Sequence, residues 1–511
     1  MSGRLSAAVG RRVDGLAGFD RRTWSVAIVV VVGAIMSILS TTSVNVALAA
    51  LSQEFGASID DVQWVITAYL LALATVIPLT GWAAERFGFR RLWMATGSTF
   101  VAASLLCGFA WSLGSLIAFR VLQGVAGGMI MPLGMIILAR TVGPDRVGRA
   151  MSVIGVPMLL GPVFGPVLGG LFVEHVGWPW IFFMNVPVGL LGLALAWRLL
   201  PAIDGGRRAQ RLDWLGLLLA SPGVLALTFG LSEVPSHGGV GHPVVYGPLA
   251  AGAVLLVAFV LHARRVADPL IDVRLFGGLR LAAATATTFL LGAALFGSLL
   301  VLPLYFQVLR GEGALTTGLL LIPQGLASAS MMPLIGPLTD RFGGGPVVLI
   351  GVTFLATGTF LLTQADTDTP YPLLMAALAI RGFGLGGSMM PAIAAAYAAM
   401  RPQDVPRATS GLNATQRVGG SIGAAVLAVI LNAEIAAAVP GGGATAAEVA
   451  GSAGELGRYA DAVAGAFETT FWWAFALSLA AVPTALILTR RERIDRRARE
   501  SALDTVSQHS G

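Results

Sequence analysis

Isolated arginines, acid–arginine pairs flanked by glycine, and prolines spaced among glycines are the residues of this chain whose types and spacing imply work. The stretch "GWAAERFGFRR" (81–91) sets Glu85 and Arg86 between Gly81 and Gly88 and adds Arg90 and Arg91. "GPLTDRFGGGP" (336–346) returns Gly336, Asp340, Arg341 and Gly343 in the same register. An acid beside an arginine at the end of an apolar segment can make a charge-assisted contact with a neighbouring helix end, and such a contact can form and break. The same arginines would also serve as plain anchors on one side of a membrane. Arg120 and Arg381 lie inside apolar runs, where a guanidinium must meet a carboxylate, carbonyls or water and marks a path for ions or substrate. For Arg120 an interhelical hydrogen-bond hub with Gln123 is the alternative.

Bond-making chemistry is not expected. All 33 basic side chains counted as Lys+Arg are arginines, so a phosphate-binding G-x-x-x-x-G-K-[ST] loop and a lysine Schiff base are both excluded. None of His175, His237, His242, His262 and His509 has a ligand partner at metal spacing, and Cys107 stands alone within an apolar run. The expectation is a non-enzyme with no cofactor and no metal.

Charged residues make up 12% of the chain against roughly 25% in soluble proteins, hydrophobic residues 56%, and mean hydropathy is +0.79. The apolar residues come in blocks long enough to cross a ~30 Å hydrocarbon core as helices. The first runs from Trp24 to Leu51, too long for a cleavable leader. Others lie near 62–80, 92–110, 113–139, 147–172, 180–200, 212–231, 244–263, 281–308, 315–338, 346–364, 370–399, 408–434 and 466–489, which predicts an all-α protein of fourteen spans. Alternate loops hold the arginines while the others hold acids such as Glu54, Asp61, Glu174, Glu233, Asp366 and Asp368, so both termini are expected in the cytoplasm of a multi-pass cell-membrane protein. The net charge of +6 is thus topological rather than a nucleic-acid footprint.

Internal repetition gives the organisation. Gly81, Glu85, Arg86 and Gly88 match Gly336, Asp340, Arg341 and Gly343; "GGMIMP" (127–132) matches "GGSMMP" (386–391); and Ser152, Gly161 and Gly165 match Ser410, Gly419 and Gly423. The first pair is separated by eight spans where a six-plus-six bundle needs six, so two helices are inserted between pseudo-symmetric halves. The division expected is a cytoplasmic segment 1–23, a six-helix bundle 24–200, two inserted helices 201–265, a second six-helix bundle 266–490 and a cytoplasmic tail 491–511.

With "TTSVNVAL" (41–48), "QWVITAYLLA" (63–72), "RVLQGVAGG" (120–128), "GVPMLLGPVFGPVLGG" (155–170), "WPWIFFMNVPVG" (178–189) and "LPLYFQVLRGEGALTTGLLLIPQ" (302–324) in this order, the chain resembles the fourteen-span drug/proton antiporter branch of the major facilitator superfamily (MFS) over essentially its whole length. That resemblance implies a conformational latch at Gly81, Glu85, Arg86, Gly88 and Arg90 with a second copy at Asp340 and Arg341. It implies proton coupling at Arg120 with Gln123, and Arg381 as an approximate counterpart two residues out of repeat register. It also implies an antiporter motif at Gly155, Pro157, Gly161, Pro162, Gly165, Pro166, Gly169 and Gly170, and export as the direction. Generic small-residue packing would use the same glycines.

Ser40, Asn45, Tyr69, Asn185, Tyr305, Gln307, Asn413, Gln416 and Arg417 are polar groups on apolar spans and are expected to line a substrate cavity, or else to bond helix to helix. Many relatives carry an aspartate where this chain has Ser40, and the sequence offers no acid at central depth. The function expected is a proton-coupled exporter of amphipathic drugs or antibiotics, acting as a monomer in the bilayer and preferring neutral or monocationic cargo to dications. Export of an endogenous lipid or secondary metabolite, and a non-transporting receptor or scaffold, are the alternatives.

Overall fold

A computed structural model describes residues 21–143, 146–200, 211–234, 239–401, 403–438 and 453–509. The first twenty residues, Arg207 and Arg208, the middle of the 436–465 connector, and the side chains of Pro162 and Pro166 lie outside what is described. Among the described residues there are helices and no strands. The long rods are α1 (Arg21–Thr42), α2 (Ile59–Val76), α3 (Phe89–Gly108), α4 (Leu113–Val142), α5 (Val147–His175), α6 (Asn185–Leu199), α7 (Trp214–Glu233), α8 (Pro243–Arg265), α9 (Leu279–Leu304), α10 (Ala314–Phe342), α11 (Gly344–Leu362), α12 (Tyr371–Ala398), α13 (Val405–Ala438) and α14 (Ala453–His509). Tight turns extend three of them: α1 through Ser43–Ala47 into Leu48–Phe55, α2 through Ile77–Leu79 into Thr80–Phe87, and α9 into a π turn at Tyr305–Leu309. Among the described residues, twelve segments are long and apolar enough to cross a membrane, leaving out α3, whose first turn holds Arg90 and Arg91, and α5.

Local chemistry sets where the rods begin and end. The Ser58 hydroxyl accepts from Asp61 N at 3.1 Å to start α2, and Ser112 and Ser115 form a reciprocal cap on α4. Gly88 and Gly343, matched in the repeat, both take positive φ, +85° and +90°, at the joints into α3 and α11, a conformation that disfavours any side chain.

Each strong helix pairing inside α1–α6 recurs inside α9–α14: α1 with α5 as α9 with α13, α2 with α4 as α10 with α12, and α3 with α6 as α11 with α14. The repeat read in the sequence is therefore a repeat of packing. The inserted α7 and α8 pack on each other, and α7 lies along α2 and α13, where Phe229 stacks on Trp64. The halves meet along a seam formed by α5 against α10 and α12, and by α13 against α4 and the end of α2.

Candidate functional site

Two quartets close the seam at its arginine-rich end, and the repeat relates them. In the first, Gly81 N donates to Ser410 Oγ at 3.2 Å, and Glu85 lies 3.9 Å from Arg407 across the seam and 3.7 Å from Arg140 of its own half. In the second, Asp340 accepts from the first turn of α5, from Gly148 N at 2.8 Å and Arg149 N at 3.3 Å, and its other oxygen is 3.9 Å from Arg149 Nε. A carboxylate there meets both the unsatisfied amides and the positive end of the helix. Both glycines are obligatory at this approach: a Cβ on Gly81 would stand 2.4 Å from Pro406 O, and one on Gly336 would stand 2.7 Å from Arg149 Cα and Ser152 Oγ. Ser152 and Ser410 are therefore equivalent members of the quartets.

The seam partners Arg149, Arg407 and Arg140 were not singled out by their motifs. The signal was present, because Arg149 and Arg407 keep the same separation as Ser152 and Ser410 three residues on. Arg86 is exposed, so its neighbour Glu85, nearly fully buried, makes the seam contact. Arg341 is likewise exposed, over the Phe342 ring, and Arg90 donates to Trp197 O within its own half.

Arg120 is wholly buried. Its Nε donates to Val65 O at 3.0 Å, and its Nη1 to Gln123 Oε1 at 2.6 Å, Ser40 Oγ at 3.2 Å and Ser40 O at 3.4 Å. The Tyr69 ring lies 3.9 Å beneath it, a cation–π contact, and Gln123 passes the network to Ser104 Oγ at 2.6 Å. Arg120 Nη2 has no hydrogen-bond partner among the described residues. Arg381 repeats the arrangement despite its two-residue displacement. It bonds Gln324 Oε1 at 2.8 Å, Thr359 Oγ1 at 3.2 Å and Ala294 O at 3.3 Å, where Gln324 and Thr359 stand at the repeat positions of Tyr69 and Ser104, and Ala294 lies on the first helix of its half as Ser40 does. Each arginine thus ties the first helix of its half to the fourth.

The glycine–proline stretch packs α5 on the end of α1. A Cβ on Gly161, Gly165 or Gly169 would collide with Ile38, Thr42 or Ser43, and Thr42 Oγ1 donates to Gly161 O at 3.3 Å. Gly155 instead faces Met332 and Met390 of the other half, Gly170 stands near Val46, and Pro157 is buried.

The nine polar positions separate. Asn413 and Arg417 are half-buried on the face of α13 that meets the first half, Asn413 reaching Met135 Sδ at 3.8 Å. Tyr69 is buried, its hydroxyl 3.4 Å from both Ser37 O and Thr41 Oγ1 of its own half, and Ser40 lies beneath Arg120 with no exposure. Asn185, Tyr305 and Gln416 do not open into a cavity: Asn185 bonds Ile181 O, Tyr305 donates to Asp366 O at 2.9 Å among Phe467 and Phe471, and Gln416 packs inside its half beside Met389. Asn45 and Gln307 are exposed. A cleft of about 380 Å³ at the arginine-rich end is walled by charge, including Arg280, Asp340, Glu492 and Arg496, and does not suit apolar cargo.

The second bundle also has a brace absent from the sequence reading. Glu492 of α14 accepts from Gly345 N at 2.8 Å and Gly344 N at 3.3 Å, capping α11. Arg280 lies 3.6 Å from Glu492 and 3.3 Å from Asp495, and Arg496 donates to Arg341 O at 3.1 Å. The tail thus continues α14 as helix, at least to these contacts.

The model of the Major Facilitator Superfamily matches residues 30–424 and 285–504. The chain belongs to this superfamily. Within it, the chain is 43% identical over 406 residues to a Multidrug resistance protein B homolog of Mycobacterium tuberculosis, covering 79% of this chain and 75% of that one. It is 34% identical to the Puromycin resistance protein pur8 of Streptomyces alboniger, covering 82% and 84%, and 30% identical to the Tetracenomycin C resistance and export protein of Streptomyces glaucescens, covering 83% and 78%. The superfamily fold is also seen in the proton:xylose symporter XylE, with a TM-score of 0.59 at 13% identity over 92% of this chain and 95% of that one.

Proposed function

We propose that this chain is a secondary-active exporter of amphipathic compounds across the cell membrane, rocking its two halves about the seam and drawing on proton influx. One observation carries the mechanical reading: the two repeat-related quartets, Gly81/Glu85 on Ser410/Arg407 and Gly336/Asp340 on Ser152/Arg149, close one mouth of the molecule with contacts that can separate intact. They are the proposed latch, and this conformation has the inner mouth shut. Arg120, Gln123 and Arg381, buried in matched networks, are the proposed coupling groups. Relatives named for multidrug, puromycin and tetracenomycin C resistance support drug or antibiotic cargo and the outward direction.

We count α3 and α5 as spans too, because α3 packs on α4 and α6 and α5 on α1 and α10, among rods that qualify; this gives fourteen crossings with both ends in the cytoplasm. The driving force is adequate. One proton entering across ~100 mV releases about 2.3 kcal/mol, enough for a roughly 50-fold cargo gradient. The experiment is dye and drug accumulation in a strain stripped of its own pumps, followed by flux in everted vesicles. Energised outward flux that collapses with the proton gradient is expected; no flux for any amphipath would favour the receptor or scaffold reading.

A further inference from the structure

The face of α13 that meets the first half carries Ser410, bonded to Gly81, then Asn413, in contact with Met135, and one turn further out Arg417. Arg417 lies twelve residues past Val405, about 18 Å along the rod and hence near mid-membrane. It is half-buried, its electrostatic neighbour is the Tyr69 phenol across the seam, and no carboxylate or hydrogen-bond acceptor among the described residues engages it. The other two intramembrane arginines, Arg120 and Arg381, are fully buried and committed to carbonyl, amide and hydroxyl oxygens. No described acid sits at that depth: Glu85 and Asp340 hold the inner contacts, while Glu434 and Glu468, near the opposite ends of their rods, are exposed.

The middle of the seam is therefore positive, with one guanidinium open to it. A charge left unpaired there is costly, and the group that would relieve it is an anion on the cargo, which a guanidinium grips through paired donors. We propose that Arg417 is the cargo-recognition residue and that the preferred cargo is an amphipathic monoanion, a lipophilic carboxylate or an equivalent acid. This rests on the export reading and reverses the preference for neutral or cationic cargo expected from Ser40. It also gives the missing central acid a meaning, since an inside-negative potential itself drives an anion outward.

The test uses the full chain in lipid nanodiscs, with a lipophilic carboxylate dye and its uncharged methyl amide as probes. Unmodified protein should bind the carboxylate about tenfold more tightly, the size of one lost charge-assisted contact. Arg417→Gln should erase that preference while holding the amide within about twofold, which also shows that the variant is folded, and Arg417→Lys should restore part of it. Equal affinity for both probes in the unmodified protein, or a preference that survives Arg417→Gln, would overturn the proposal. Vesicle flux of neutral and cationic amphipaths separates the two failures: such flux without anion preference leaves export standing and removes the anion, whereas no energised flux of any amphipath removes both.

Discussion

Glu85 and Asp340 occupy the same place in the repeat but are held by different chemistry, and substitutions should reveal it. Glu85 relies on charge, between Arg140 at 3.7 Å and Arg407 at 3.9 Å, whereas Asp340 accepts two backbone amides that an uncharged amide side chain can also serve. Glu85→Gln is expected to slow export about five- to tenfold, a loss of ~1–1.4 kcal/mol, and Asp340→Asn by less than about twofold, read as initial efflux rates in vesicles. Equal slowing would mean that charge matters alike in both. Ser40 makes a second case. Its hydroxyl is 3.2 Å from Arg120 Nη1 and has no access to the seam, so an aspartate there would pair with Arg120. Ser40→Asp should leave the cargo range unchanged and shift the pH profile of export; new dication transport with an unaltered pH profile would refute this placement.

At the scale of elements, the brace on α11 is open to direct measurement. Glu492→Ala removes the acceptor for Gly344 N and Gly345 N, and hydrogen exchange at those amides should quicken at least tenfold while exchange at Gly88, the matched joint, stays the same. Unchanged exchange would mean that water caps α11 equally well. This brace also marks the limit of what could be read from the chain. Rods were legible because apolar blocks bounded by Gly88, Ser112 or Gly343 declare their own ends, and the repeat was legible because glycines at close approaches admit no substitute. Partners across space were not. Nothing near Glu492 in "RRERIDRR" points to Gly344, and nothing near Asn185 or Tyr305 says that the side chain folds back into its own half instead of facing the seam. Those outcomes depend on how rods are rotated about their axes, which the mixed apolar faces of a membrane bundle scarcely encode.

For the molecule as a whole, sidedness is the first quantity to test. Cys107 is buried, so single cysteines can be added on a quiet background. His242→Cys and Gln364→Cys should react with an impermeant thiol reagent from outside, and Arg264→Cys only after permeabilisation. Protection of the His242 position would place the α7–α8 pair on the wrong side and undo the fourteen-crossing count. A different consequence follows from α14. Its helix runs 57 residues, about 85 Å, far beyond a ~30 Å core. Its braces, Arg280, Arg341, Gly344 and Gly345, all belong to the second half, so in the proposed rocking the rod would turn with that half. The segment from Arg490 to His509 is thus a lever arm of roughly 28 Å fixed to one half alone. A small angular change at the seam becomes a large displacement at its tip, so a spin label or fluorophore at Ser507, paired with one at Val142 on the first half, would make the molecule its own goniometer.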